Sequence, residues 1–174
     1  MLVVIFFLQA EKEKWLRNSL ITLKNNMNNK IPPPIVTLFF GLCIYFSRPY
    51  FPEFGNSVLN SLSIISFVVG VFVFASAVLS FKKQKTTVNP ISIENASSLV
   101  VSGIFKYSRN PMYLGMSFVL LGLTFKFNVI GGLLFTGIFM LFITVFQIKP
   151  EEVAMEKLFD QEWKDYTKNV RRWL

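Results

Sequence analysis

The stretch Gly103-Ile-Phe-Lys-Tyr-Ser-Arg-Asn-Pro-Met-Tyr-Leu-Gly115 joins a polar connector to an apolar run that is suited to a membrane. Its polar side chains surround Pro111, and a second polar group, Pro150-Glu-Glu152, stands where a later apolar run ends. Ionisable groups at membrane boundaries cost free energy unless they are paired or used. Both clusters are therefore candidate functional residues.

The composition indicates an integral membrane protein. Of 174 residues, 52% are hydrophobic and 16% are charged, against about a quarter charged in soluble domains. The chain has no His and a single Cys, so it lacks the usual neutral-pH base and the commonest metal ligands. We expect no metal. The net charge of +8 fits cytoplasmic loops and anionic lipids better than nucleic acid, which we do not expect as a partner.

The chain divides into an N-terminal part and one membrane domain. Residues 1–30 are predicted to be a polar extension that need not belong to the fold, and Met27 is a candidate natural start. Residues 31–174 are predicted to form a single all-α bundle of about four transmembrane helices, followed by a C-terminal amphipathic cytoplasmic helix. The four apolar runs are 35–46, 58–81, 112–125 and 129–148.

Local signals refine this bundle. Pro32-Pro33-Pro34 suits the first turn of a helix. Small residues such as Ser63 and Gly70 in the second run favour close helix packing. Lys126-Phe127-Asn128 predicts a tight turn between the last two runs. Residues 151–171 read as an amphipathic helix whose aromatic face lies on the membrane surface. That face is formed by Phe159, Trp163, Tyr166, Val170 and Trp173.

Charge predicts the orientation of the bundle. Basic residues flank the start of the first run, the end of the second and the end of the fourth, whereas only Arg48 and Lys126 remain for the opposite side. The positive-inside rule then places both termini and the connector in the cytoplasm. The Arg109 and Glu151 clusters are thereby expected at the same membrane face.

Each cluster alone also has an ordinary structural explanation. Glu151 and Glu152 follow a proline and suit the first turn of a helix, where the helix dipole favours carboxylates. Arg109 could be a membrane-edge anchor. Asn110-Pro111 has the form of a helix start, with Asn as N-cap and Pro at the first position.

Taken together and in order, these residues resemble a known family. Residues 99–115, a helical hairpin, Glu151-Glu152 and then Phe159…Tyr166…Val170-Arg-Arg-Trp173 resemble the isoprenylcysteine carboxyl methyltransferase and phospholipid methyltransferase group. The resemblance covers roughly residues 86–174. It implies a membrane-embedded enzyme that uses S-adenosylmethionine in a cytosol-facing pocket built from residues 86–115 and 147–174.

The resemblance also implies roles for individual residues. Glu151 would oppose the cationic cofactor, and Arg109 would hold a carboxylate of the cofactor or an anionic acceptor. Tyr113 or Glu152 would accept a proton from an amine acceptor, and Gln147 falls at a substrate position. The implied cofactor contacts are Asn89, Ser97, Ser98, Leu99, Val100, Phe105, Asn110, Pro111, Met112, Tyr113 and Glu151; the implied catalytic residues are Arg109, Tyr113 and Glu152.

Three positions depart from the family pattern. Asn110 replaces His, Gln147 replaces an Arg used for a carboxylate substrate, and Asp160 replaces a more typical Gly. The function expected is methylation of a lipophilic acceptor, by carboxylate O-methylation as in isoprenylcysteine carboxyl methyltransferases. The alternatives are phospholipid amine N-methylation and a non-enzymatic tetraspan or transporter. A transporter is disfavoured because the apolar runs hold no ionisable residue near their middle.

Overall fold

The computed structural model describes residues 31–83 and 98–174, and within these ranges all regular structure is helical. The expectations for residues 1–30, including Met27, and for Asn89 and Ser97 fall outside the described residues. The described ranges contain five α-helices in order: α1 (Pro33–Phe46), α2 (Ser57–Lys83), α3 (Pro111–Phe127), α4 (Val129–Ile143) and α5 (Lys149–Asn169). Short 3-10 turns occur at Arg48–Tyr50 and Gly103–Lys106, and a π-helical turn, Thr144–Ile148, joins α4 to α5.

Among the described residues, two helices are long and apolar enough to cross a membrane. One is α2, and the other is the continuous helix Val129–Asn169, whose apolar part ends at Ile148 before Lys149 and Pro150. α1 and α3 are shorter apolar helices of 14 and 17 residues. α1 begins at Pro33, two residues before the apolar run, because proline is well accommodated in the first helical turn.

Small residues bring α2 and α3 into close contact. A Cβ built on Gly115 of α3 would lie 2.8 Å from the backbone oxygen of Gly70 in α2, which is closer than real Cβ atoms approach. Nearby, Ser63 Oγ donates a hydrogen bond to the Gly122 carbonyl oxygen at 2.8 Å. The predicted packing role of Gly70 and Ser63 is confirmed.

The turn between α3 and α4 is tighter than the sequence suggested. The predicted tight hairpin is confirmed, but Lys126 and Phe127 belong to α3 and Asn128 alone connects the helices. The Asn128 side chain replaces a longer loop, since its Oδ1 accepts from Gly131 N at 3.0 Å and its Nδ2 donates to Ser47 Oγ at 3.1 Å. This buried amide caps α4 and ties the hairpin to α1.

The main core lies among α1, α3 and α4 and continues into the π-helical turn. Its fully buried members are Ile44, Leu120, Phe139, Ile143 and Ile148. Tyr113, in the first turn of α3, belongs to the same cluster. The apolar core therefore extends to the polar residues at this end of the bundle.

The last helix differs from its predicted placement. Trp163, Tyr166 and Val170 are buried and pack on Leu99, and the Tyr166 hydroxyl donates to the Phe105 carbonyl oxygen at 2.7 Å. The expectation that this face rests on the membrane surface is therefore wrong for these residues. α5 bends at Asp160, whose φ of 32° is a conformation that favours glycine.

Candidate functional site

The two polar clusters of the sequence meet in the structure. Tyr113 lies in the first turn of α3 and Glu151 in the first turn of α5, and the Tyr113 hydroxyl donates to Glu151 Oε1 at 2.5 Å. This contact confirms the prediction that the two clusters come within reach of one another. A tyrosine and a carboxylate from separate helices thus form the centre of a candidate site.

Glu152 is held by two arginines. Arg109 Nη1 lies 3.2 Å from Glu152 Oε1, while Arg172 donates from Nε to Oε1 at 3.0 Å and from Nη2 to Oε2 at 2.7 Å. The side chains of Glu152 and Arg109 are only 16% and 14% exposed, so these ion pairs are largely shielded from solvent. The Arg109 guanidinium also lies 5.7 Å from the ring centroid of Trp163. Sequence reasoning assigned no role to Arg172.

Asn110 occupies the N-cap position of α3, with Pro111 next, but it does not cap the helix with its side chain. Its Nδ2 donates instead to the Arg172 carbonyl oxygen at 3.0 Å, and its backbone N–H donates to Ser108 Oγ at 3.1 Å. The predicted position is therefore confirmed and the predicted capping bond is wrong. The side chain joins the motif to the segment that follows α5.

The predicted apolar cofactor contacts lie in packed clusters. Leu99 contacts the aromatic residues of α5, whereas Val100 and Phe105 pack with Ala77 and with partly buried Met112. These clusters connect the start of α3 to α2 and α5. In this arrangement the side chains contribute packing and could form only the apolar wall of a pocket.

Buried polar atoms without a partner in the described part of the chain occur in this region. They include Ser98 Oγ, Arg109 Nε and Gln147 Oε1. Gln147 is fully buried in the π-helical turn, one helical turn before Glu151, and its Nε2 donates to the Ile31 carbonyl oxygen at 2.9 Å. Each unpaired buried polar group costs about 1–3 kcal/mol, and π-helical turns are frequent at functional sites.

Burial also changes the proton affinity of Glu151. Glu151 lies beyond the apolar part of its helix, and desolvation raises the pKa of its carboxyl to about 8. The hydrogen bond from Tyr113 opposes the rise, while the neighbouring Glu152 carboxylate adds to it. A bound cation would favour the ionised form.

The structure thus combines an apolar helical bundle with two carboxylates at one end, one hydrogen-bonded to a tyrosine and one ion-paired with arginines. This combination is typical of a membrane protein with a polar site at its surface. The family model described as phospholipid methyltransferase matches residues 59–162, and the chain belongs to that family. A 63-residue alignment, 36% of this chain and 100% of the other, is 40% identical to an uncharacterized protein of Haemophilus influenzae. No solved structure matches the chain.

Family membership and the apolar helices together define a membrane protein of a methyltransferase family. The matched range contains Arg109, Tyr113, Glu151 and Glu152 and ends before Arg172.

Proposed function

We propose that the protein is an S-adenosylmethionine-dependent methyltransferase that acts on a lipophilic acceptor. The observation that carries this proposal is the contact between Tyr113 and Glu151, which joins the two sequence clusters at one end of an apolar bundle. When bound, S-adenosylmethionine supplies a methyl group activated by its sulfonium charge. The acceptor would enter from the bilayer, since α1, α2 and α4 expose many large apolar side chains.

The residues at this end of the bundle fit that cofactor chemically. The Glu151 carboxylate could oppose its positive charge, and the unpaired Nε of Arg109 could donate to its carboxylate. Ser98 Oγ is a further buried group that lacks a partner within the described ranges. The other residues proposed to hold the cofactor are Asn89, Ser97, Leu99, Val100, Phe105, Asn110, Pro111, Met112 and Tyr113.

The chain's contribution to the reaction is mainly alignment and exclusion of water. A carboxylate acceptor is already a nucleophile, whereas an amine acceptor has to lose a proton. Both Glu152 oxygens are engaged by guanidinium groups, so Tyr113 is the better placed of the two predicted residues. Its hydroxyl could take the proton of the amine while passing its own proton to the ionised Glu151 carboxylate, to which it is hydrogen-bonded. Arg109 would remain available to an anionic group through Nε.

One observation supports the amine reaction as an alternative to the predicted carboxylate O-methylation. Gln147 uses Nε2 on the Ile31 carbonyl oxygen, which leaves the buried Oε1 as a hydrogen-bond acceptor. An acceptor oxygen complements the N–H of an amine and not the oxygens of a carboxylate. Phospholipid amine N-methylation therefore becomes the second candidate, with Gln147 as the substrate contact.

We further propose that α1, α2, α3 and α4 all cross the membrane, with the site and both termini in the cytoplasm and α5 outside the bilayer. Arg48 and Lys126 would then mark the opposite face. The proposed topology places the cofactor in water and the acceptor in lipid.

The test is cofactor binding by the purified full chain in detergent or nanodiscs. We expect wild type to bind S-adenosylmethionine, and Glu151→Ala and Arg109→Ala to bind about tenfold or more weakly, because each removes a charged hydrogen-bonding group. Glu156→Ala, exposed on the same helix, is the matched control and should bind as wild type. Absence of binding by wild type overturns the enzyme proposal, whereas normal binding by both site variants overturns the site.

The acceptor class can be separated in a second experiment. Membrane lipids are incubated with the protein and cofactor carrying a labelled methyl group, and the lipid fraction is then treated with mild base. A carboxyl methyl ester releases its label as methanol, whereas an N-methyl amine retains it. Transfer of no label, with cofactor binding intact, would indicate that the acceptor is absent from that membrane.

A further inference from the structure

The segment that follows α5, residues 170–174, folds back over the start of α3. Its backbone accepts three hydrogen bonds from residues 108–110. Arg109 N–H donates to the Arg171 oxygen at 3.0 Å, and the Arg172 oxygen accepts from Asn110 Nδ2 at 3.0 Å and from Ser108 Oγ at 3.4 Å. Val170 is buried and extended, which turns the chain in this direction. We call residues 170–174 the clasp.

The Arg172 side chain extends from the clasp to the first turn of α5. Its planar guanidinium contacts both oxygens of Glu152, at 3.0 and 2.7 Å. A bidentate pair of this kind fixes direction as well as distance. The clasp thus contacts α3 through its backbone and α5 through one side chain.

Glu151 and Glu152 are adjacent on α5, so their side chains point about 100° apart around the helix axis. Glu151 is directed to Tyr113, and Glu152 is directed to Arg109 and Arg172. Two anchors in different directions prevent the first turn of α5 from rotating. Loss of the Arg172 anchor would leave Glu152 with the single Arg109 contact.

Charge gives Arg172 a second effect on the site. Glu152 carries one negative charge and faces two guanidinium groups. Because Arg172 occupies both oxygens, Arg109 is not required to neutralise Glu152 alone, and its buried Nε stays available.

We propose that Arg172 is a positioning residue of the cofactor site, which acts through Glu152 to orient Glu151 and to leave Arg109 free for an anionic group. This inference rests on the proposed function. Arg172 does not itself need to contact the cofactor.

The experiment measures S-adenosylmethionine binding by the full chain in detergent, with a parallel thermal-unfolding measurement. Arg172→Gln should weaken binding about tenfold or more, because a bidentate charged contact is lost. Arg171→Gln is the matched control, since it removes the same charge from the exposed neighbouring residue, and it should bind as wild type. Arg172→Lys keeps the charge without the two-pronged geometry and should bind several-fold more weakly with the fold retained.

A double-mutant cycle shows whether Arg172 acts through Glu152. Glu152→Gln alone should weaken binding, and adding Arg172→Gln to it should produce little further loss. If the double variant loses affinity by the product of the two single losses, the inference is overturned. Wild-type affinity of Arg172→Gln for the cofactor would also overturn it. If Arg172→Gln does not fold, the affinity of Arg172→Lys decides in the same way. Wild type that binds no cofactor overturns the proposed function and this inference together, whereas wild-type binding with an insensitive Arg172 overturns this inference alone.

Discussion

The two ends of the helical bundle differ in whether their buried polar groups are hydrogen-bonded. At the hairpin end, Asn128 is buried and its side chain both accepts from Gly131 N and donates to Ser47 Oγ. At the site end, Gln147 Oε1 and Arg109 Nε are buried without partners in the described part of the chain. The hairpin end is organised for stability, whereas the site end keeps polar atoms unpaired within the described residues, as the proposed ligand site requires.

Arg48 qualifies this contrast without removing it. Its Nε is also unpaired within the described ranges, but its side chain is 41% exposed and its guanidinium lies over the ring of Phe127. Water can approach the remainder of this group. The fully buried Gln147 has no such access.

The largest effect is expected where the close helix contact supports the site end. Gly115→Ala places a methyl group against the Gly70 backbone and should lower the free energy of unfolding by about 3 kcal/mol. It should also weaken cofactor binding, because Tyr113 lies two residues before Gly115 on the same helix. Gly137→Ala is the control, since a Cβ there meets nothing within 4 Å, and its stability should stay within about 1 kcal/mol of wild type. Equal unfolding midpoints for the two variants would contradict the close contact.

The contrast itself predicts opposite behaviour of one residue from each end. Asn128→Ala should lower the free energy of unfolding by about 2 kcal/mol, because it breaks two buried hydrogen bonds. Its cofactor affinity should be unchanged. Glu151→Gln should leave stability at pH 7 unchanged or higher and weaken cofactor binding about tenfold or more. Chemical denaturation and binding titrations on the same preparations measure both quantities. If Asn128→Ala binds the cofactor more weakly at temperatures where it is folded, the hairpin end contributes to binding and the contrast between the two ends is wrong.

A pH series tests the Glu151 carboxyl directly. Its pKa of about 8 exceeds the ordinary value of 4.5, so the folded protein holds this proton more tightly than the unfolded chain. The contribution to stability is therefore fully present below about pH 4.5 and is lost as pH rises to about 8. A cationic cofactor favours the ionised carboxylate, so its affinity should rise up to tenfold per pH unit between pH 6 and 8. Glu151→Gln should flatten this profile.

The smallest effect concerns the bend in α5, which places Trp163 and Tyr166 near the site. Asp160→Gly should raise the free energy of unfolding by about 0.5–1 kcal/mol, because glycine adopts the observed φ of 32° without strain. Loss of the exposed Lys164–Asp160 ion pair should offset little of this gain. Lys157→Gly, at an exposed helical position, should instead lower stability by about 1 kcal/mol. If Asp160→Gly and Lys157→Gly lower the stability by similar amounts, Asp160 does not have the positive φ at which the helix bends.

Periodicity and end signals in the sequence predicted much of the helical order. Pro33 and Pro111 begin helices as expected, and Gly70 lies at a close helix contact. Basic residues recur at every second boundary of the apolar runs, and this pattern predicted that Tyr113 and Glu151 lie at the same end of the bundle. These features depend on residues near each other in sequence or on a general rule of membrane orientation.

Other features depended on distant partners and were missed. Asn110 bonds to the Arg172 backbone rather than to its own helix, and the α5 aromatic face packs on Leu99 rather than on lipid. Asn128 makes the hairpin turn alone because it can bond both to Gly131 and to Ser47. Such choices follow from tertiary contacts that no local pattern contains.

The shortness of α1 has a consequence for the surrounding bilayer. Its 14 residues extend about 21 Å, whereas the hydrocarbon core of a typical bilayer is about 30 Å thick. In the proposed topology, the lipids next to α1 have to thin locally to match this helix. The protein should therefore reconstitute with less strain in short-chain lipids, and the thinned region would bring headgroups closer to the level of the bundle interior.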